Sequence, residues 1–312
     1  MTKDTLFHKY FEDWVKLYKR GTVRPITYGK YQMTLRHLTE IAPSLSLCNL
    51  DRREYQQIIN KYAETHERQT VMDFHHHLKG AILDAIDERL IDIDPTRKVA
   101  ISGKPKADKA PKFLNKAELV KLLAHLRGEH HLDWLILLLA KTGLRYAEAL
   151  GLTPKDFDFE KGTLQVSKTW DYKSREGGFT ETKNHSSKRV VQIDSMLNAQ
   201  LYQFLRGKDE DEPVFVKKTA DGMYQRMFNS TANHHLRQLT KKAGVPPVSI
   251  HGLRHTHASL LIYEGVSIQI VAKRLGHATT TTTQETYLHI IKELEDADNK
   301  KVVIHLAELS AY

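Results

Sequence analysis

Three stretches of the 312-residue chain each set a cation or an imidazole next to a glycine turn within an apolar helical pattern: TGLRYAEALGL at 142–152, HGLRHTHASLL at 251–261 and LGHATTTTTQETYLH at 275–289. Arg145 and Arg254 are costly to bury in such surroundings unless an anion compensates them. An internal salt bridge, for example Arg145 with Glu148, would serve for one arginine. For two arginines, two histidines and a tyrosine spread over three such stretches, a bound phosphate is the more economical explanation. Phosphodiester chemistry needs an in-line nucleophile, donors on the non-bridging oxygens and a proton for the departing oxygen. Guanidinium forks match phosphate oxygens in pairs and stay charged at any relevant pH, so no metal is required. A tyrosine hydroxyl becomes a competent nucleophile once a base or a cationic pocket helps remove its proton.

Other chemistries find no foothold. The chain has no Walker A loop, no G-x-G-x-x-G opening a helix after a strand, no H-E-x-x-H and no G-x-S-x-G. The runs His75-His76-His77, His130-His131 and His234-His235 invite a metal reading. Neighbouring helical side chains diverge by about 100°, which argues against one, and neither a metal nor a cofactor is expected. The single cysteine, Cys48, excludes an intramolecular disulfide and fits a reducing compartment. The first residues, MTKDTLFHKYFEDW, lack an apolar signal core, and the longest apolar run, 134–140, is too short to span a bilayer. These features point to the cytoplasm.

The elements that must position the three stretches follow from hydrophobic periodicity. Leu6, Tyr10, Trp14 and Leu17, with Phe7, Phe11 and Tyr18 beside them, recur at helical spacing; Pro25 opens a second helix carried by Tyr28, Tyr31, Leu35 and Leu38 to Ile41. Further helices fit 51–63 and 68–90, giving a four- or five-helix bundle over residues 1–100. Residues 101–112, ISGKPKADKAPK, hold Lys104, Lys106, Lys109 and Lys112 against one aspartate, and Pro105 and Pro111 disfavour helix. This reads as an extended basic linker, either solubilising or facing a polyanion. The overall balance of 47 basic against 38 acidic residues favours the polyanion. Beyond it, Asn115 and Glu118 suit a capping box, and helices fit 132–142, 146–152, 195–206, 224–243, 255–263 and 268–275. The alternating segments 163–169 and 188–193 argue for a small antiparallel sheet spanning a long polar loop, with 214–216 as a short added strand. The fold class is mainly α with a small antiparallel β-sheet.

The three stretches resemble the signature boxes of the tyrosine recombinase (phage integrase) family: T-G-L-R-x-x-E-x-L around Arg145, H-x-L-R-H-T from His251, and L-G-H followed by a tyrosine. In style the chain is nearest to integrases of temperate phages and conjugative transposons. The resemblance implies a helical core-binding domain at 1–100, the linker, a mixed α/β catalytic domain at 113–291 and a C-terminal tail at 292–312. That tail, with its apolar KVVIHLAELSAY, packs on its own domain or docks on a neighbouring protomer. Carried over, the resemblance makes Arg145 and Arg254 the phosphate-binding arginines, His251 and His277 the imidazoles, and Tyr287 the nucleophile. Lys183 resembles the family's hairpin lysine, with Lys168, Lys173 and Lys188 as nearby alternatives. Gly252 stands where many relatives carry Asp, which removes a local capping contact. Tyr287 competes with twelve other tyrosines; its polar, Thr-rich run lets a hydroxyl reach solvent and DNA, whereas Tyr263 lies in an apolar helix and reads as core.

The implied activity is a site-specific DNA recombinase that cleaves and rejoins strands through a 3′-phosphotyrosyl intermediate and a Holliday junction, without metal or ATP. Its implied partners are double-stranded DNA attachment sites, a homo-tetramer on DNA and a possible accessory DNA-bending or excision factor; no membrane is involved. The rivals are a type IB topoisomerase-like monomer and a non-catalytic DNA-binding regulator. Larger integrases carry an additional arm-binding domain, and no counterpart is read ahead of Phe7. The two domains are expected to clamp the duplex, with the linker lysines on its phosphates. Duplex affinity should then fall steeply with salt. Replacing Lys104, Lys106, Lys109 and Lys112 by Gln should flatten the log–log salt slope by up to about 4, at roughly 0.9 per phosphate contact; an unchanged slope would remove the linker from the interface.

Overall fold

The computed structural model describes residues 1–105, 113–174, 176–182 and 184–287, and the chain divides into two units, Met1–Asp108 and Lys109–Tyr312. In the first unit, α1 (Phe7–Tyr18) buries Phe7, Tyr10, Phe11, Trp14 and Val15 on one stripe, while Leu17 and Tyr18 fall on its exposed side. Pro25 occupies the first turn of α2 (Pro25–Ile41), where its missing N–H costs nothing. The Asp51 carboxylate accepts from the Arg53 and Glu54 amides and starts α3 (Arg52–Ala63); α4 (Arg68–Asp87) completes the helical set. Tyr55, Phe74, Leu78 and Ile82 fill the space between them. The histidine run splits as helical geometry requires: His75 Nδ1 meets the Tyr55 hydroxyl at 2.9 Å, and His77 Nδ1 meets Thr34 at 2.8 Å.

The stretch expected as linker begins as chain laid on this unit. Ile101 packs on its core, and the Lys104 amide donates to the His66 carbonyl at 2.8 Å. The Lys104 side chain is exposed; Lys106, Lys109 and Lys112 lie outside the described residues, as does the 292–312 tail.

In the second unit the Asn115–Glu118 capping box opens α5 (Lys116–Leu123), followed by α6 (His131–Thr142) and α7 (Tyr146–Leu150). A three-stranded antiparallel sheet of order β1 (Phe157–Asp158), β2 (Thr163–Val166), β5 (Arg189–Gln192) lies beside a hairpin of β3 (Lys168–Trp170) and β4 (Phe179–Glu181). Then come α8 (Ser195–Leu205), α9 (Asn229–Ala243), α10 (Ile250–Tyr263), α11 (Ile268–Leu275) and a helical segment at 280–287. Leu135, Leu138, Leu150, Leu164, Val191, Leu201 and Leu253 form the core that binds these elements together.

Four expectations from periodicity are corrected. The single strand 163–169 is two, because Val166 pairs with Arg189 while Lys168 pairs with Glu181. Residues 214–216 are buried in a turn and join no sheet: Val214 donates its amide to the Leu152 carbonyl, and Pro213 has no amide to give a ladder. α9 starts at Asn229 and not at 224, since Tyr224 is drawn into a bridge with Lys218 and its hydroxyl donates to Glu212. α10 starts five residues before His255, where the Ser249 hydroxyl accepts from the Gly252 amide. Ser249 thus supplies the cap that a side chain at position 252 does not. This last correction matters most, since it puts His251, Arg254 and His255 on one helix.

Leu78 is fully buried and Leu17 is 71% exposed. Leu78→Ala should cost about 2–5 kcal/mol in denaturant unfolding, against a change within about 0.5 kcal/mol for Leu17→Ala; equal costs would contradict this packing.

Candidate active site

Helices α6 and α11 end in left-handed glycines, Gly143 (φ 68°) and Gly276 (φ 67°). These turns present carbonyl oxygens to the arginines. Arg254, projecting from α10, donates to Gly143 O and to Leu275 O, both at 2.7 Å. Arg145, at the start of α7, donates to Gly276 O at 3.1 Å. The two guanidinium groups are therefore tied to carbonyls of consecutive residues. A side chain at either glycine would be strained by the backbone and crowded as well: an ideal Cβ on Gly143 would sit 2.7 Å from His257 Cδ2, and one on Gly276 would sit 2.9 Å from Arg189 Nη1.

Glu148 anchors the other side. Its carboxylate, 1% exposed, accepts from the Arg145 guanidinium at 2.6 Å and amide at 2.9 Å, and from Arg189 at 2.9 and 3.2 Å. Burial alone would raise this carboxyl; the hydrogen bond and charge of Arg189, then the charge of Arg145, hold it below the usual carboxylate range. Arg189 also donates from Nε to Arg274 O at 2.6 Å, just ahead of the Gly276 turn. The Arg145–Glu148 salt bridge weighed from the sequence exists, yet Arg189 shares the same carboxylate and Arg254 is held by carbonyls alone, so positive charge is left over. Burial and then the neighbouring Arg145 charge lower Arg254 to about 9, so it remains cationic at neutral pH.

The imidazoles stand around this charge. His277 directly follows Gly276, and its Nδ1 lies 2.7 Å from Thr283 Oγ1. Burial, then the charges of Arg254 and Arg145, lower it to about 4. His251 is lowered by the same causes. Both rings are neutral at pH 7 and able to accept or donate a single proton.

Tyr287 departs from its expected setting. It is 2% exposed, and its hydroxyl meets His255 Nδ1 at 3.0 Å. The polar run is helical, so Thr283 and Tyr287, four apart, share the inward face while their neighbours face out. Ala258, Ile262, Val271 and Leu275 enclose the ring. Burial raises the hydroxyl to about 12, and the Arg254 charge works in the opposite direction. Tyr263, expected in the core, is 45% exposed because it lies beyond the buried 258–262 stripe at the end of α10. Lys183 lies outside the described residues; of its alternatives, Lys168 is held by Asp156 at 2.5 Å, and Lys173 and Lys188 are exposed.

The structure thus brings Arg145, Arg254, His251, His277 and Tyr287 to one region of the second unit. It adds Arg189, Thr283 and His255, which the sequence reading left unassigned. His255 was legible, being one turn from His251 inside the same box. Arg189 was not, since its partner Glu148 is 41 residues away.

A model described as the phage integrase family matches residues 112–293. The chain is 28% identical to a "Tyrosine recombinase XerC-like" protein of Caldanaerobacter subterraneus, over 93% of this chain and 80% of that protein. It is 23% identical to the integrase of Staphylococcus phage L54a, over 94% and 91%. Among solved structures, the Tn1549 transposon integrase in complex with transposon right end DNA superposes with a TM-score of 0.79 at 20% identity, over 96% of this chain and 100% of that one. A lambda integrase tetramer bound to a Holliday junction gives 0.65 at 17% identity, over 89% and 79%. These structural likenesses establish the fold.

A histidine held neutral in the fold takes up a proton on unfolding, so its contribution to stability is intact above the ordinary imidazole range near 6.5 and is lost as pH falls towards the folded value. His277, lowered to about 4, and His257, lowered to about 3 by burial and then Arg274, both act in this direction. Denaturant unfolding between pH 6 and 5 should lose about 1.4 kcal/mol per pH unit for each such ring. Glu148 adds to the loss only at lower pH, as its carboxylate protonates. A flat profile over this window would mean that these imidazoles are charged in the fold.

Proposed function

The chain belongs to the phage integrase family, and on that premise we propose that it is a site-specific DNA recombinase whose nucleophile is Tyr287. The observation that carries this reading is the pair of guanidinium groups, Arg145 and Arg254, fixed on the carbonyls of Gly276 and Leu275 beside two neutral imidazoles. Their remaining donors suit the non-bridging oxygens of a scissile phosphate, whose charge increases in the transition state. Tyr287 Oη attacks phosphorus, the bond to the 5′ oxygen breaks, and that oxygen leaves with a proton from Lys183. His251 and His277 hydrogen-bond the phosphate. The 3′-phosphotyrosyl bond conserves the energy of the broken one, so rejoining is the reverse displacement and neither ATP nor a metal ion is needed. Because Oη is buried against His255 at rest, cleavage includes a step that exposes it.

Exchange between two attachment sites passes through a Holliday junction and needs four active sites, so the working form is a homo-tetramer on duplex DNA. The lambda integrase tetramer bound to a Holliday junction supports this form, and the Tn1549 integrase complex with transposon right end DNA supports DNA as the partner. The helical unit and the linker lysines, Lys104, Lys106, Lys109 and Lys112, grip the duplex, the 292–312 tail docks on a neighbouring protomer, and a DNA-bending or excision factor assists. The reaction takes place in the cytoplasm, where such DNA resides.

The test uses a nicked suicide duplex of the attachment site, EDTA and no nucleotide, read by denaturing electrophoresis. The wild-type protein should form a covalent adduct. Tyr287→Phe should form none while keeping its duplex affinity. An adduct persisting in Tyr287→Phe would reassign the nucleophile, and a wild-type adduct appearing only with metal or ATP would overturn the cofactor-free mechanism.

A further inference from the structure

The family boxes assign roles to Arg145, Arg254, His251, His277 and Tyr287, yet the side chain in contact with the Tyr287 oxygen is His255. Its Nδ1 lies 3.0 Å from Oη, with ring centroids 5.9 Å apart at 62°. His255 sits on α10 one turn beyond His251, and the two rings meet edge-to-face at 4.8 Å. The same stripe of α10 continues into Ala258 and Ile262, which pack against the tyrosine ring. The helix that carries Arg254 therefore also carries the partner of the attacking oxygen, so any shift of α10 moves both together.

We propose that His255 is a catalytic residue that holds the Tyr287 hydroxyl and accepts its proton as Oη bonds to phosphorus. This rests on the reading of Tyr287 as nucleophile. The proton passes from Oη to Nδ1 as the oxygen–phosphorus bond forms and the bond to the 5′ oxygen breaks; in rejoining, Nδ1 returns it to Oη. No further reactant is needed. His255 meets Tyr287 from the 280–287 segment and His251 on its own helix, and interacts electrostatically with His277 from the turn after α11; Arg254 precedes it in the chain. The resident cations favour a phenolate on the tyrosine and disfavour a second positive charge on the imidazole, so the proton is held only transiently. Geometry sets the division of labour: Arg145 and Arg254 are tied to backbone carbonyls, His277 is tied to Thr283, and His255 stands at hydrogen-bond distance from Oη.

The experiment compares wild type, His255→Ala and His255→Asn on the suicide duplex, measuring single-turnover adduct formation from pH 5.5 to 8.5, duplex affinity and thermal unfolding. Asparagine can hold the hydroxyl at the Nδ1 position yet cannot take its proton. Both variants should bind duplex within about twofold of wild type and cleave about 100-fold or more slowly, the usual range for loss of a positioned proton acceptor. The wild-type rise in rate across the imidazole range should be missing from His255→Asn. A wild-type rate and pH profile in His255→Asn would overturn proton acceptance, reducing His255 to a positioning residue, and a wild-type rate in His255→Ala would remove even that. Loss of duplex binding or of the folding transition in both variants would also overturn the proposal, assigning the residue to the core. Failure of the Tyr287 reading is separate, since it shows as an adduct in Tyr287→Phe.

Discussion

Backbone carbonyls hold the arginines of this site, and the rest of the second unit is arranged to present them. A helix that ends in a left-handed glycine turns its last carbonyls outward, and these are oxygens with no intrahelical partner. α6 and α11 end this way at Gly143 and Gly276, and three of the exposed oxygens, those of Gly143, Leu275 and Gly276, take the N–H groups of Arg254 and Arg145. A neutral acceptor orients a guanidinium without cancelling its charge. Carboxylates in the same places would have oriented the arginines equally well and removed the attraction for an anion.

Among the described residues Glu148 is the carboxylate that bonds these arginines, and its position explains why one is tolerated. It lies beneath the arginines, fully buried, and bridges Arg145 to Arg189. Arg189 in turn reaches the Arg274 carbonyl, so β5, α7 and the end of α11 are joined through four polar groups. Buried charge of this kind is expensive, and removing one partner strands the others. The arrangement makes the site rigid at its base while its upper side keeps excess positive charge. Burial, and then that charge, hold His251 and His277 neutral, so hydrogen-bonding groups and cations coexist without competing for protons.

Tyr287 shows how burial and reactivity are kept apart. In an enclosed pocket with its hydroxyl on His255, the tyrosine titrates near 12 and is a poor nucleophile. Its reactivity depends on a phosphate reaching the hydroxyl while His255 stays beside it. Arg254 already works against the burial effect, which shows that the field of the site reaches the hydroxyl before any phosphate arrives.

The sequence by itself determined the class of chemistry, the residue types that perform it, the helical character of both halves and most helix spans. Each of these depends on local spacing: the 3.6-residue period of α1 and α6, the caps at Asp51 and Asn115, and glycine beside arginine in two boxes. Only the tertiary structure decided what those residues touch. The split of 163–169 between two sheets, the non-strand at 214–216, the Arg189–Glu148 pair and the carbonyl anchors of Arg145 and Arg254 are contacts between segments tens of residues apart, and no local period encodes them. The inward turn of Tyr287 had a local cause, the four-residue spacing from Thr283, but composition masked it: a Thr-rich helix looks polar on every side until packing chooses which face is buried.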